Sequence, residues 1–143
     1  MSLALQIEET IAAIATAISA GHGGIAIIRI SGAQALNVVK SIVSVQGSPT
    51  WESHTVIYGH VMNAAKTEKI DEVLVLFMKE PRSFTGEDVV EIHCHGGVIA
   101  VQRVLKRVLS HDKVRRALPG EFSQRAVING RLDLTQAESI NEL

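Results

Sequence analysis

Apolar and polar positions interleave over Val89-Val90-Glu91-Ile92-His93-Cys94-His95, the period of a half-buried strand. Successive side chains on a strand point to opposite faces. Glu91, His93 and His95 therefore share one face, and Val90, Ile92 and Cys94 the other. A carboxylate in line with two imidazoles is a poor way to build a plain core strand, so this face is predicted to wall a binding site. The strand is preceded by a turn from Ser83, and Gly96-Gly97 follow it, allowing a sharp turn into the next helix and a close approach by a ligand or another chain. Two further strands, rich in Ile and Ala, are predicted over Thr10–Ala17 and Gly24–Ile30, with a glycine-bearing loop between them. The second is apolar except for Arg29. A guanidinium keeps its charge, so it needs an anion: a structural carboxylate, a ligand, or Glu91. Val56–Met62 and Ile70–Met78 read as a hairpin, and the unbroken apolar run Val73–Phe77 predicts a strand covered on both faces.

A period of 3.6 appears twice. Ser31-Gly32-Ala33-Gln34 has capping-box spacing, with Ser31 as N-cap. The helix it predicts runs to about Val43, with Leu36, Val39 and Val43 as its apolar stripe. Over Gly97–Ser110, Val98, Val101, Val104, Leu105 and Val108 face inward, while Arg103, Lys106 and Arg107 face out. Val114–Leu118 reads as a short strand, and Pro119–Ser123 turns the chain into a short helix. Asn129-Gly130 is a turn. Thr135-Gln136-Ala137-Glu138 is a second capping box, and the helix it launches stops at Leu143, as in a piece of something longer.

A chain of 143 residues, 46% of them hydrophobic, suits one domain with the beginning of a second. The net charge of −1 announces neither nucleic acid nor membrane. Its distribution says more: eight of the fourteen basic residues lie between Arg103 and Arg131, against Asp112 and Glu121 alone. Such a segment either faces phosphate or carboxylate groups or is a solvated face with local ion pairs. The single cysteine excludes an internal disulfide and suits a reducing cytosol. It lies on the strand's apolar face, where it reads as a small buried hydrophobe. His93 and His95 lack a convincing third and fourth ligand, so no metal is assigned. No phosphate loop or dinucleotide fingerprint occurs. No apolar run is long enough to cross a bilayer. The residues alone thus predict a mixed α+β domain with an Arg29/Glu91 polar pair and a basic C-terminal third. They do not predict a ligand.

Four motifs, in order, carry a resemblance. They are Gly24–Gly32 (Gly-Ile-Ala-Ile-Ile-Arg-Ile-Ser-Gly), Ser83–Gly97, Pro119–Ala126 and Asn129–Glu138. Together they resemble the start of the MnmE (TrmE) tRNA modification GTPases, over about Thr10 to Leu143. The resemblance implies an α+β fold of mixed and antiparallel sheets with packed helices, like the folate-binding domain of the glycine-cleavage T protein. That domain would occupy residues 1–118, and a helical domain would begin over 119–143. It implies binding of 5-formyl- or 5,10-methylene-tetrahydrofolate, with Arg29, Glu91 and Arg131 at the family's folate-contacting positions. The last is commonly Lys in relatives. It implies a cytoplasmic homodimer with no membrane attachment. With the flavoprotein MnmG (GidA), the full-length enzyme adds an aminomethyl-type group to C5 of the wobble uridine of certain tRNAs. GTP, Mg²⁺ and K⁺ would belong to a GTPase domain absent from this chain.

The departures are plain. There is no phosphate loop, no switch segment and no C-terminal Cys-x-Gly-Lys, so no catalytic residue is assigned and GTP hydrolysis by this chain alone is not expected. Cys94 is not the family's proposed catalytic cysteine. The loop over 17–23 lacks the proline often found there. Glu91 suits the paired N–H donors of a pterin edge, and basic residues suit the carboxylates of a folate tail. Which arginine serves which end stays open. A second class of function also stands: a non-catalytic docking module for tRNA or a protein partner. Titration with a reduced folate separates the two.

Overall fold

The structure is a computed structural model that describes residues 8–15 and 25–133. The strands are β1 (Thr10–Ile14), β2 (Ala26–Ser31), β3 (Val43–Ser44), β4 (Thr55–Met62), β5 (Lys69–Met78), β6 (Val89–Cys94) and β7 (Val114–Arg116). The helices are α1 (Ala35–Ile42), α2 (Gly97–Leu109) and α3 (Glu121–Ile128). The strands form one mixed sheet in the order β3-β4-β5-β6-β2-β1-β7. Only the β1–β7 pair is parallel. The expected α+β class is what the chain adopts. The predicted glycine loop and the second capping box at Thr135 lie outside the described residues.

Alternation splits the sheet into two unlike faces. On the first, Ile28, Ile30, Val73, Val75, Val90, Ile92 and Cys94 pack against Val38, Val39 and Ile42 of α1 and Val101, Val104 and Val108 of α2. Burying each such aliphatic side chain stabilises the fold by about 1.5–3 kcal/mol, so this layer holds the domain together. Cys94 is 1% exposed, and burial first, then Asp71, pushes its thiol up to about 12. It is packing, as its place in the alternation predicts. On the second face the register lines up Ala13, Arg29, Glu91, Leu76 and Val56 across five strands. Beside that row run Ile27, His93, Leu74 and Tyr58.

Several expectations are corrected. Leu74 and Leu76 are only partly buried, and Val56 and Tyr58 are more than half exposed. The run Val73–Phe77 is thus fully covered on one face alone. Ser31 does not cap α1. It ends β2, and the amide of Gln34, the N-cap residue, donates instead to Thr10 Oγ1 at 3.0 Å. A neighbouring strand supplies the cap that the local spacing seemed to offer. Gly32 makes this possible: its φ is +136°, and a Cβ there would lie 2.7 Å from the Thr10 Cα. The buried face of α1 is Ala35, Val38, Val39 and Ile42, with Val43 already in β3. In α2, Val98 is solvent-facing at 37% exposure. β7 is shorter than predicted, ending at Arg116.

Candidate functional site

Arg29 and Glu91 stand directly opposite each other in the β2–β6 ladder. Antiparallel pairing of the two strands is what brings residues so far apart in sequence together. Both Nε and Nη2 of Arg29 donate to Glu91 Oε2, at 3.3 and 3.2 Å. Among the described residues, the other carboxylate oxygen, Oε1, meets only His93 Nε2, at 3.3 Å. The side chains of Arg29 and Glu91 are 20% and 17% exposed, so the pair is half sunk in the second sheet face. Strand alternation carries Glu91 and His93 to one face as predicted. His95 is a correction: β6 ends at Cys94, the His95 amide donates to Asp71 Oδ2, and its ring lies against the Glu72 carbonyl.

Two aromatic rings flank the guanidinium. Arg29 Cζ lies 4.9 Å from the Phe84 ring centre and 5.4 Å from that of Phe122, within cation–π range. Phe84 comes from the β5–β6 loop and Phe122 from α3. Sequence reasoning did not single out either one. Both sit inside motifs it quoted, but nothing local marks a phenyl ring as facing a particular arginine.

Arg131 is not in contact with the Arg29–Glu91 pair. Its Nε donates to the Ser83 carbonyl at 2.9 Å, one residue from Phe84. Asn129 Nδ2 likewise donates to the Thr85 carbonyl at 2.9 Å. The turn after α3 is therefore sewn to the loop that carries Phe84. Gly86 is required there: its φ is +80°, and a Cβ would lie 2.8 Å from the Asn129 Cβ and 3.3 Å from the Arg131 Cγ.

Beneath this surface lies a buried ionic network that the sequence reading missed. Arg125 is 1% exposed. Its Nη1 donates to Glu87 Oε1 at 3.0 Å, and its Nη2 to Glu121 Oε2 at 3.4 Å. Glu121 also accepts from Arg115 Nη1 and Nη2 at 2.8 and 2.6 Å, and from the Leu118 amide at 2.8 Å. Arg115 further pairs with Glu9. Ser31 Oγ donates to Glu87 Oε1 at 2.8 Å and accepts from Thr85 Oγ1 at 2.7 Å. Burial alone raises the Glu121 pKa, but the bonds from Arg115 and Leu118 and the charges of Arg115 and Arg125 outweigh it, leaving the carboxyl below its ordinary value. The bonds that Arg115 donates to Glu121 in turn raise the Arg115 pKa. The only advance signal was the i,i+4 spacing of Glu121 and Arg125. Among the described residues, no buried side-chain nitrogen or oxygen lacks a hydrogen-bond partner.

A mixed-sheet α+β domain of this kind, with one helix-covered face and one face carrying a caged Arg–Glu pair, defines the class. The model of the family described as "GTP-binding protein TrmE N-terminus" matches residues 10–131, and the chain belongs to that family. It is similar to proteins named tRNA modification GTPase MnmE. One, from Prochlorococcus marinus (strain MIT 9303), is 66% identical over 143 residues, covering all of this chain and 31% of the relative. Another, from Synechococcus sp. (strain WH7803), is 68% identical over 135 residues, covering 94% of this chain and 29% of the relative. The chain thus spans about a third of the length of the curated relatives it matches. No helix among the described residues is long and apolar enough to cross a membrane.

Proposed function

We propose that this chain is the reduced-folate-binding and homodimerising N-terminal domain of a cytoplasmic tRNA modification GTPase. With the flavoprotein MnmG (GidA), the whole protein would install an aminomethyl-type group at C5 of the wobble uridine. GTP, Mg²⁺ and K⁺ are assigned to the part of the relatives that this chain does not span. The folate-binding unit is drawn over 1–118, like that of the glycine-cleavage T protein, and the helical domain from 119.

The observation that carries the reading is the state of Glu91. Its backbone is fixed in a central strand and its Oε2 is tied to Arg29, so the carboxylate is held in one orientation. Its Oε1 has only a long imidazole contact among the described residues, and the side chain keeps 17% of its surface exposed. A planar ligand edge with paired N–H donors suits such an acceptor, because charge-assisted bonds to a fixed carboxylate are strong and directional. Phe84 offers an apolar wall beside it. Arg131 supplies positive charge at the rim of the same loop, suited to tail carboxylates. For the dimer, Val56 and Tyr58 leave apolar surface on the second sheet face, which a second copy would cover.

Calorimetric titration with 5-formyl-tetrahydrofolate tests this. Removing the acceptor leaves ligand donors unpaired at roughly 1–3 kcal/mol, so Glu91→Ala and Glu91→Gln are both expected to weaken binding about tenfold or more. Glu91→Gln binding as tightly as the parent, at an unchanged melting temperature, would sink the folate reading in favour of the docking module.

A further inference from the structure

Five of the eight basic residues of the 103–131 stretch fall into two sets. Arg115 and Arg125 are consumed by Glu9, Glu87 and Glu121. Arg103, Lys106 and Arg107, on the outer side of α2, make no ion pair among the described residues. Arg107 is held in place all the same: its Nε donates to the Met62 carbonyl at 2.9 Å and its Nη1 to Ser110 Oγ at 3.0 Å. Neither bond neutralises its charge. These three cations line an open cleft of about 310 Å³ whose lining includes Asn63 and Ser110 and no carboxylate. A second cleft of about 180 Å³ borders the same β4–β5 turn and is lined by Lys40 and Lys66, again without a carboxylate. Glu68, in that turn, is exposed but lines neither cleft.

We propose that this strip, formed by Lys40, Lys66, Arg103, Lys106 and Arg107, is a contact surface for the phosphate backbone of a folded RNA. Phosphates need cations and N–H donors, and these five side chains supply them around two clefts whose remaining lining is partly apolar, with Ala64 and Ile70 in one and Ile42, Val43 and Met62 in the other. A protein partner would need a buried apolar or aromatic anchor. The turn Asn63-Ala64-Ala65-Lys66-Thr67-Glu68 has none, and the apolar side chains that line the clefts (Ile42, Val43, Met62 and Ile70) are buried or half-buried. Of the exposed large hydrophobics, Val56 and Tyr58 lie on the other sheet face, and Val98 and Ile99 lie at the start of α2, outside both clefts. A membrane surface would need the same kind of residue to insert. No aromatic ring lines either cleft, and the Trp51 ring beside the strip, partly buried, faces Lys40 Nζ at 5.8 Å, so the contact positions an RNA without reading its sequence. α2 covers the first sheet face, whereas Arg29 and Glu91 belong to the second. RNA on the strip therefore leaves the folate site open. The choice of RNA as the polyanion leans on the proposed role in tRNA modification; the strip itself does not.

Fluorescence anisotropy with an unmodified tRNA transcript, over about 50–300 mM salt, provides the test. The double variant Arg103→Glu, Lys106→Glu changes two exposed side chains. It is expected to bind tRNA at least about tenfold more weakly near 100 mM salt and to flatten the log–log salt slope by about two. Its melting temperature and its 5-formyl-tetrahydrofolate binding are expected to stay at parent values. Lys40→Glu with Lys66→Glu is expected to act in the same direction. No measurable tRNA binding by the parent at about 50 mM salt, or affinity of the double variant within twofold of the parent, overturns the inference. So does competition by poly-glutamate as effective as that by tRNA, which would mark an acidic protein partner. A chain that binds tRNA through the strip but no folate keeps this inference and loses the folate reading.

Discussion

The molecule contains two arginine–glutamate clusters that a sequence cannot tell apart, and they have opposite characters. Around Arg125, the central guanidinium and Glu121 are buried and both oxygens of each carboxylate that meets it are engaged: Glu121 takes bonds from two arginines and an amide, and the partly buried Glu87 takes Arg125 and Ser31. Around Arg29, one carboxylate oxygen takes both arginine bonds and the other has a single long contact, with His93. A fully buried ion pair must be saturated, because an unpaired charge in the interior is prohibitively costly. A pair that keeps about a fifth of its surface exposed can leave capacity unused, since water satisfies it until a ligand arrives. The first cluster locks α3 to the loop over 83–88. The second, resting on that lock through Phe122 and Phe84, presents an acceptor.

The sharpest way to break the contrast is Arg125→Met. It keeps most of the side chain's volume, takes from Glu87 its arginine partner, and leaves the buried Glu121 with Arg115 and the Leu118 amide alone. A loss of about 3–5 kcal/mol is expected in denaturant unfolding, with ligand binding failing as Phe122 and the loop come loose. An unchanged unfolding midpoint would mean that the network is not structural.

Glu121→Gln is gentler, because the amide still fills the site and keeps one acceptor. Losing a set of charged hydrogen bonds is expected to cost roughly 1.5–3 kcal/mol near neutral pH. The pH dependence gives the sign. The folded-state pKa of Glu121 lies below its ordinary value of 4.5, so the unfolded chain binds the proton first as pH falls. The stabilisation is complete well above 4.5 and is lost as pH drops through the lowered value. Parent and variant melting curves should therefore differ most near neutrality and converge as the pH falls through the lowered value. A gap that persists undiminished at low pH would assign the effect to packing rather than charge.

How far the sequence reached follows the same division. Strand alternation placed Glu91 and His93 on one face and Cys94 on the other, and supplied Arg29 with Glu91 as one of its possible partners. These are period-two facts, and period two survives folding. It could not foresee that β6 stops before His95, because Asp71, from a different strand, captures the His95 amide. The capping box at Ser31 failed for a related reason: its hydroxyl serves Thr85 and Glu87, and Thr10 caps the helix instead. The aromatic pair around Arg29 and the Arg125 network depend on how α3 docks, which is a tertiary matter with no local trace beyond an i,i+4 spacing. The basic stretch was visible as a count, but only the fold separated its paired from its unpaired members.

The smallest effect, and the finest probe of the contrast, is Arg131→Lys. Arg131 touches both regimes: its Nε is bound to the Ser83 carbonyl, while the rest of its guanidinium remains available at the rim of the Phe84 loop. Arginine can hold a carbonyl with one edge and a carboxylate with another, because its donors sit in a rigid fork. Lysine has one compact ammonium and must choose. If the ligand contact is a solvated carboxylate, the ammonium leaves Ser83 for it, and affinity for 5-formyl-tetrahydrofolate is expected to fall only a few-fold. The lost backbone bond is then expected to lower stability by about 0.5–1.5 kcal/mol. Calorimetry and a melting curve on the same sample read both quantities. A drop in affinity as large as that for Glu91→Gln, with no change in melting, would instead mean that both arms of the Arg131 fork grip the ligand. Arg131 would then belong with Glu91 as a ligand-holding group rather than with Arg125 as a fastener of the loop.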